Sequence, residues 1–157
     1  MTRKVARGLE RSVRLTDQTL FHRDACSALV ITCSDFRFKT AERAFLEAAG
    51  LTSDYDLIAR PGAIRALVAP RSIASRDSME EEIRLLWSIH HFTRVLMVNH
   101  VSCRAYDDLA TPENEIEVHS AHLAKAASLV EQRFHDVHAE PYLIDMEHGA
   151  LRVRSLT

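Results

Sequence analysis

The chain has 157 residues, enough for one domain with its own hydrophobic core and too few for two ordinary ones. A formal net charge of −2 gives no global attraction to nucleic acid or an anionic membrane. No apolar run approaches the roughly 18 residues of a membrane span, and no secretory-signal stretch opens the chain, so a cytoplasmic location is the expectation.

At the start, Arg3, Lys4, Arg7, Arg11 and Arg14 recur at helical spacing while Val5, Leu9 and Val13 fall on another face. This reads as an amphipathic terminal helix with a solvated basic side. Glu10 and the short length argue against an organelle-targeting peptide. Four later apolar runs, at Ala28–Thr32, Tyr55–Ala59, 95–99 and 142–146, are rich in Val, Ile and Leu. Continuous apolarity without alternation suits strands covered on both faces, as in a parallel sheet.

Helical patterns separate the strands. Residues 40–49 place Ala41, Ala44, Phe45 and Ala48 on one face, with Gly50 as the stop signal. Ser78 and Glu81 have capping-box spacing, and the helix they would start, to about Phe92, can bury Met79, Ile83, Leu86 and Trp87. Another helix from about Glu113 can bury Ile116, Leu123, Ala127, Val130 and Phe134. His148-Gly149 then separates the fourth strand from a run at 150–154, which reads as a terminal hairpin. The alternation predicts one domain over 1–157. Its expected fold is a three-layer α/β/α sandwich, with a mainly parallel four-stranded sheet plus an antiparallel C-terminal edge strand.

Two short segments carry chemistry. In Cys33-Ser34-Asp35-Phe36-Arg37, just past the first strand, positions 33, 35 and 37 alternate and would share one side of an extended backbone. A thiolate, a carboxylate and a guanidinium so close need a cation or an ion pair, and a bidentate Arg37 would hold Asp35 ionised. In His100-Val101-Ser102-Cys103, just past the third strand, the H-x-x-C spacing lets both side chains reach one metal. Ligands in open α/β sheets bind beyond the carboxyl ends of the strands. If the first and third strands are neighbours, Cys33, His100 and Cys103 converge there. Two thiolates and one imidazole favour Zn2+, and three protein ligands leave a fourth position open.

These segments resemble the C-x-D-x-R and H-x-x-C signatures of the β-class carbonic anhydrases. Arg60-Pro61-Gly62-Ala63 resembles that family's R-N-A-G-type loop, Ser78-Met79-Glu80 its S-[IL]-E helix start, and 87–103 the approach to its metal-binding histidine. The likeness spans roughly residues 26–155. It implies zinc on Cys33, His100 and Cys103, lowering the pKa of a bound water to roughly 7, and reversible hydration of carbon dioxide to bicarbonate. Asp35 would orient the zinc hydroxide and Arg37 would hold Asp35. In some members the Asp swings onto zinc and closes the site. Arg60, Gly62, Ala63 and Arg104 would shape the substrate pocket. The resemblance also implies a homodimer or a dimer of dimers, with residues 1–24 as an N-terminal helical arm.

The chain departs from the family pattern at Asn99, where Gly usually precedes the His, at Arg104 and Ala105, where two small residues follow the second Cys, and at Pro61. These departures keep two alternatives open: a non-catalytic zinc-binding or regulatory protein on the same fold, or a zinc hydrolase for another small molecule such as CS2 or COS. A thiol phosphatase fails on spacing, since position 39 is Lys where its cradle needs Arg. A dinucleotide fold lacks G-x-G-x-x-G after the first strand. Outside the motifs, Cys26 reads as a structural thiol, Trp87 as core, and His90 and His91 as residues of a helix end.

Overall fold

The computed structural model describes residues 23–156. The amphipathic stretch expected as an arm over 1–24 therefore lies outside the described residues except for its last two.

Five strands form one sheet in the order β2-β1-β3-β4-β5: β1 (Ala28–Thr32), β2 (Tyr55–Ala59), β3 (Arg94–His100), β4 (His138–Glu147) and β5 (Ala150–Ser155). The first four run parallel, and β5 returns antiparallel to β4. The expected three-layer α/β/α architecture and the antiparallel edge are both present. All five residues of β1 are buried, as its unbroken apolar run requires of a central strand. Strand β2 is an edge, and its Leu57 is 50% exposed, so its apolar run does not mark burial on both faces. The hairpin turns through His148 and Gly149 at φ +51° and +79°, the double positive φ of a tight two-residue connection.

Helix α1 (Lys39–Ala48) covers one face of the sheet, packing Leu46 with Ala28, Val30 and Leu96. Its buried positions are Leu46 and Glu42, not the expected stripe with Ala44 and Ala48, which are exposed. Glu42 is buried because it accepts from Thr32 Oγ1 at 2.5 Å and pairs with Lys39 Nζ at 2.9 Å. On the other face lie a short helix, α2 (Arg65–Val68), and two long ones, α3 (Ile73–His90) and α4 (Glu115–Arg133). They enclose the main core, in which Met79 and Ile83 of α3 and Leu123 and Val130 of α4 meet Leu29, Ile31, Val95 and Met97.

Two helix expectations are corrected. Helix α3 begins six residues earlier than the Ser78–Glu81 spacing suggests, capped by Ser72, whose Oγ accepts from Ser75 N at 3.1 Å. Ser78 therefore lies inside the helix, and His91, at φ +48°, ends it. In α4, Ile116 is exposed while His119 and Ala126 are fully buried. Among the described residues, no helix is long and apolar enough to cross a membrane.

Candidate metal centre

Strands β1 and β3 are direct neighbours, Thr32 beside Val98, so the chain segments leaving their carboxyl ends start side by side. Cys33 follows β1, His100 ends β3, and Cys103 follows after a turn through Ser102 at φ +53°. One ligand atom from each of Cys33, His100 and Cys103 lies within 4.8 Å of the others, and all three residues are buried. The two sulfurs are 3.8 Å apart and both thiols are free.

The surroundings fit a metal. His100 Nδ1 donates to Val101 O at 2.8 Å, which leaves Nε2 with its lone pair, and Nε2 is buried without a hydrogen-bond partner. Such an orphan is costly unless something binds it. The ring is also held flat against Phe38, with centroids 3.9 Å apart. Cys33 Sγ accepts from Gly62 N at 3.3 Å, and its contact with Cys103, helped by that donor, drives its pKa down. Cys103 is pushed up by the same contact and by burial. A dication would neutralise both sulfurs at once.

Asp35 and Arg37 meet beside this cluster by a route other than strand alternation. Residues Phe36–Phe38 form a 3-10 turn, and Asp35 caps it by accepting from Arg37 N at 3.0 Å. Arg37 then folds back, its Nη2 reaching Asp35 Oδ2 at 2.6 Å and its Nε reaching Oδ1 at 3.0 Å. This fork holds Asp35 down to about 2. Arg37 Nη2 also donates to Ser102 O at 2.9 Å, tying the two ligand-bearing loops together. Asp35 Oδ2 stands 3.9 Å from His100 Nε2, so the carboxylate lies at the edge of the metal-facing space.

The crevice over the cluster is lined by Cys33, Asp35, Phe36, Pro61, Cys103 and Arg104 among others. Gly62, at φ +81°, packs so closely that a Cβ there would stand 3.2 Å from that of Ala105. Ala63 is buried beside the two thiols, also at positive φ. Pro61 lacks an N–H, but the donor to Cys33 is the next residue, Gly62. Arg60 does not face the crevice: its Nη2 donates to Ser78 Oγ at 2.9 Å and meets Glu82 at 2.7 Å, pinning the loop to α3. Arg104 lines the rim of this crevice, but its side chain is 87% exposed and reaches out toward Asp107.

Residues outside the two motifs hold the candidate ligands in place. Lys39 Nζ donates to Cys33 O at 2.6 Å, and Glu115 accepts from Ser102 N at 2.6 Å. Asn99 is buried and donates to Tyr106 Oη at 3.1 Å and to His119 Nδ1 at 3.0 Å. Burial drives His119 down to about 4, which keeps it neutral as an acceptor. The departure from Gly at position 99 thus builds a polar network behind the ligand loop. Burial of His119, on α4, against Tyr106 depends on tertiary packing and has no signature in the local sequence.

A family described as "Putative carbonic anhydrase" matches residues 23–153. The chain belongs to this family. An uncharacterized protein of Rickettsia bellii is 27% identical over 141 residues, covering 86% of each chain, and one from Rickettsia conorii is 26% identical, covering 86% of this chain and 76% of its own. Among solved structures, β-carbonic anhydrase isoform I of Trichomonas vaginalis superposes with a TM-score of 0.53 at 13% identity, over 91% of this chain and 87% of that one. The β-carbonic anhydrase CafA of Aspergillus fumigatus gives 0.50 at 16% identity, over 88% and 79%. At these identities the carbonic anhydrase-like fold is what is shared. The family assignment rests on the match along the chain, and Cys33, His100 and Cys103 are its candidate metal ligands.

Proposed function

We propose that this carbonic anhydrase family member binds zinc through Cys33, His100 and Cys103 and hydrates carbon dioxide, CO2 + H2O giving HCO3− and H+. The observation that carries the reading is the unpartnered, buried His100 Nε2 facing two thiols, with the Asp35–Arg37 pair at its edge. Zinc on a two-sulfur, one-nitrogen set would supply a Lewis acid that lowers the pKa of a water in the open fourth position to roughly 7.

The chain's own residues do the rest. Asp35, ionised through Arg37, offers Oδ2 to accept a hydrogen bond from the reacting water and fix its orientation. Arg37 prevents the carboxylate from turning onto the metal, since that rotation would break both guanidinium contacts. Phe36, Pro61 and Ala105 give the crevice apolar surface suited to a small uncharged substrate. The exposed edge of β2, with Leu57 half in solvent, supports a homodimer or a dimer of dimers, which light scattering would test.

Metal analysis with stopped-flow CO2 hydration tests the reading. Wild type should hold zinc and hydrate CO2, and Cys103→Ser should lose the activity together with the metal of this site. Zinc fully bound here with no CO2 hydration from neutral to alkaline pH would overturn it. Turnover of CS2 or COS under those conditions would assign the site to a related hydrolase.

A further inference from the structure

At the opposite end of β1 from Cys33, a second set of metal-binding side chains meets. Cys26 precedes β1, Asp56 is the second residue of β2, and His90 is the last residue of α3. One ligand atom from each lies within 4.8 Å of the others. His90 Nδ1 donates to Asp56 Oδ2 at 2.8 Å, and Cys26 Sγ donates to Ala28 O at 3.3 Å.

The backbone fixes this junction. Cys26 N donates to His90 O at 3.1 Å, joining the start of β1 to the end of α3. Ser27 N donates to Asp54 O at 3.2 Å, joining it to the start of β2. All three side chains are half-buried, so each is held by its element and still reachable from solvent.

Local charge favours a cation. Asp56 contributes a carboxylate, and the carboxyl end of the eighteen-residue α3 points its negative pole at the site. The cation lining the same pocket, Arg23, is paired with Asp54 at 3.2 Å. Burial and the Asp56 charge push the Cys26 thiol up, which makes it a poor nucleophile. A dication would reverse both effects.

We propose that Cys26, Asp56 and His90 form a second metal site, separate from Cys33, His100 and Cys103, for a divalent ion of the zinc class. One sulfur, one imidazole nitrogen and one carboxylate oxygen are all zinc donors, and the mixed set disfavours the hard, all-oxygen ions. Ligation requires Cys26 to release its proton to solvent and the His90 proton to move from Nδ1 to Nε2. It also requires His90 and Asp56 to part from hydrogen-bond distance to roughly 3.3 Å, the separation of two donors about 2.0–2.1 Å from one tetrahedral ion. Rotation of the Asp56 carboxylate supplies that movement. The bound ion would clamp β1, β2 and α3 together far from the crevice.

The test uses the chain's three cysteines. In full-length Cys33→Ser/Cys103→Ser, Cys26 is the sole thiol, so any thiolate-to-cobalt charge-transfer absorption on adding Co2+ must come from it. The absorption should saturate at one equivalent and vanish when Cys26→Ser is added. Asp56→Asn should weaken binding by about 10-fold or more, since losing a ligand costs at least as much as losing a ligand's support. Should the double variant fail to fold, zinc titration of the otherwise wild-type chain decides: Cys26→Ser should bind one equivalent fewer. No absorption from a folded double variant, or equal zinc uptake with and without Cys26, would overturn the proposal. Because Cys26 is no ligand of the other cluster, a failure there leaves these outcomes unchanged.

Discussion

The imidazole of His100 lies against the ring of Phe38, planes 24° from parallel, while its own Nδ1 is anchored on Val101 O. One contact sets the tilt of the ring and the other its rotation, so together they aim Nε2 at the two thiols. Phe38 reaches this place because the 3-10 turn at 36–38 rolls its side chain inward. Phe38→Leu keeps an apolar side chain but removes the flat surface. We expect a folded variant that holds metal about 10-fold more weakly, the scale of a lost orienting contact, in competition with a chromophoric chelator.

Gly62 joins two requirements in one residue. Its φ of +81° suits glycine, and its N–H is a donor to Cys33 Sγ. Ala at this position meets both the strained backbone and Ala105 Cβ at 3.2 Å. Gly62→Ala should destabilise the fold by about 1–2 kcal/mol in urea unfolding. It should also slow metal uptake, because the loop must move to relieve the contact.

Arg104 and Asn99 depart from the family pattern in opposite ways. Arg104 is turned out to solvent, so Arg104→Gly should change CO2 hydration by less than about 3-fold, the range of an exposed substitution. Asn99 is buried, and Asn99→Gly strips the donor from both Tyr106 Oη and His119 Nδ1. Leaving those groups unsatisfied should cost about 1–3 kcal/mol, read as a lowered urea midpoint.

What the sequence made legible follows from which forces are local. The apolar runs marked the four parallel strands because a parallel sheet buries its inner strands on both faces, although the edge strand β2 is only partly buried. His148-Gly149 marked the hairpin to β5 because positive φ has a chemical signature. Cys33, His100 and Cys103 were legible because strand ends bring such residues to one place. Glu42 was not, since a carboxylate buried by Thr32 and Lys39 looks like a surface residue in a helical pattern. Nor was the start of α3: Ser72 and Ser78 both offer a hydroxyl cap, and Ser78 is instead taken by Arg60. Asp35 and Arg37 were paired correctly on the wrong backbone, extended rather than turned.

The Asp35–Arg37 pair leaves a mark on stability. The folded carboxylate is held down to about 2, below the roughly 3.9 of an unfolded Asp. A lowered folded value contributes stability that is fully present above the unfolded value and is lost as pH falls through the folded one. Wild type should therefore lose stability between about pH 5 and pH 2 more steeply than Asp35→Asn, whose side chain does not titrate. Parallel acid limbs in urea midpoints would show that the guanidinium does not hold the carboxylate in solution.

The same pair separates catalysis from metal binding. Asp35→Asn keeps the shape of the 3-10 cap and leaves Cys33, His100 and Cys103 untouched, so metal content should match wild type. The amide is a poorer acceptor for a reacting water, and hydration should fall by at least about 10-fold, the lower range for a positioned proton acceptor. Arg37→Ala acts differently. It frees the ionised carboxylate 3.9 Å from His100 Nε2 and also removes the donor to Ser102 O. Asp35 can then turn onto the metal, and activity should be low near neutral pH and recover partly as hydroxide competes at alkaline pH. Asp35→Asn should show no such alkaline recovery, because its amide is a far weaker ligand. If the two variants share one pH profile, Arg37 does not restrain Asp35, and the fork between them serves only to join the two ligand loops.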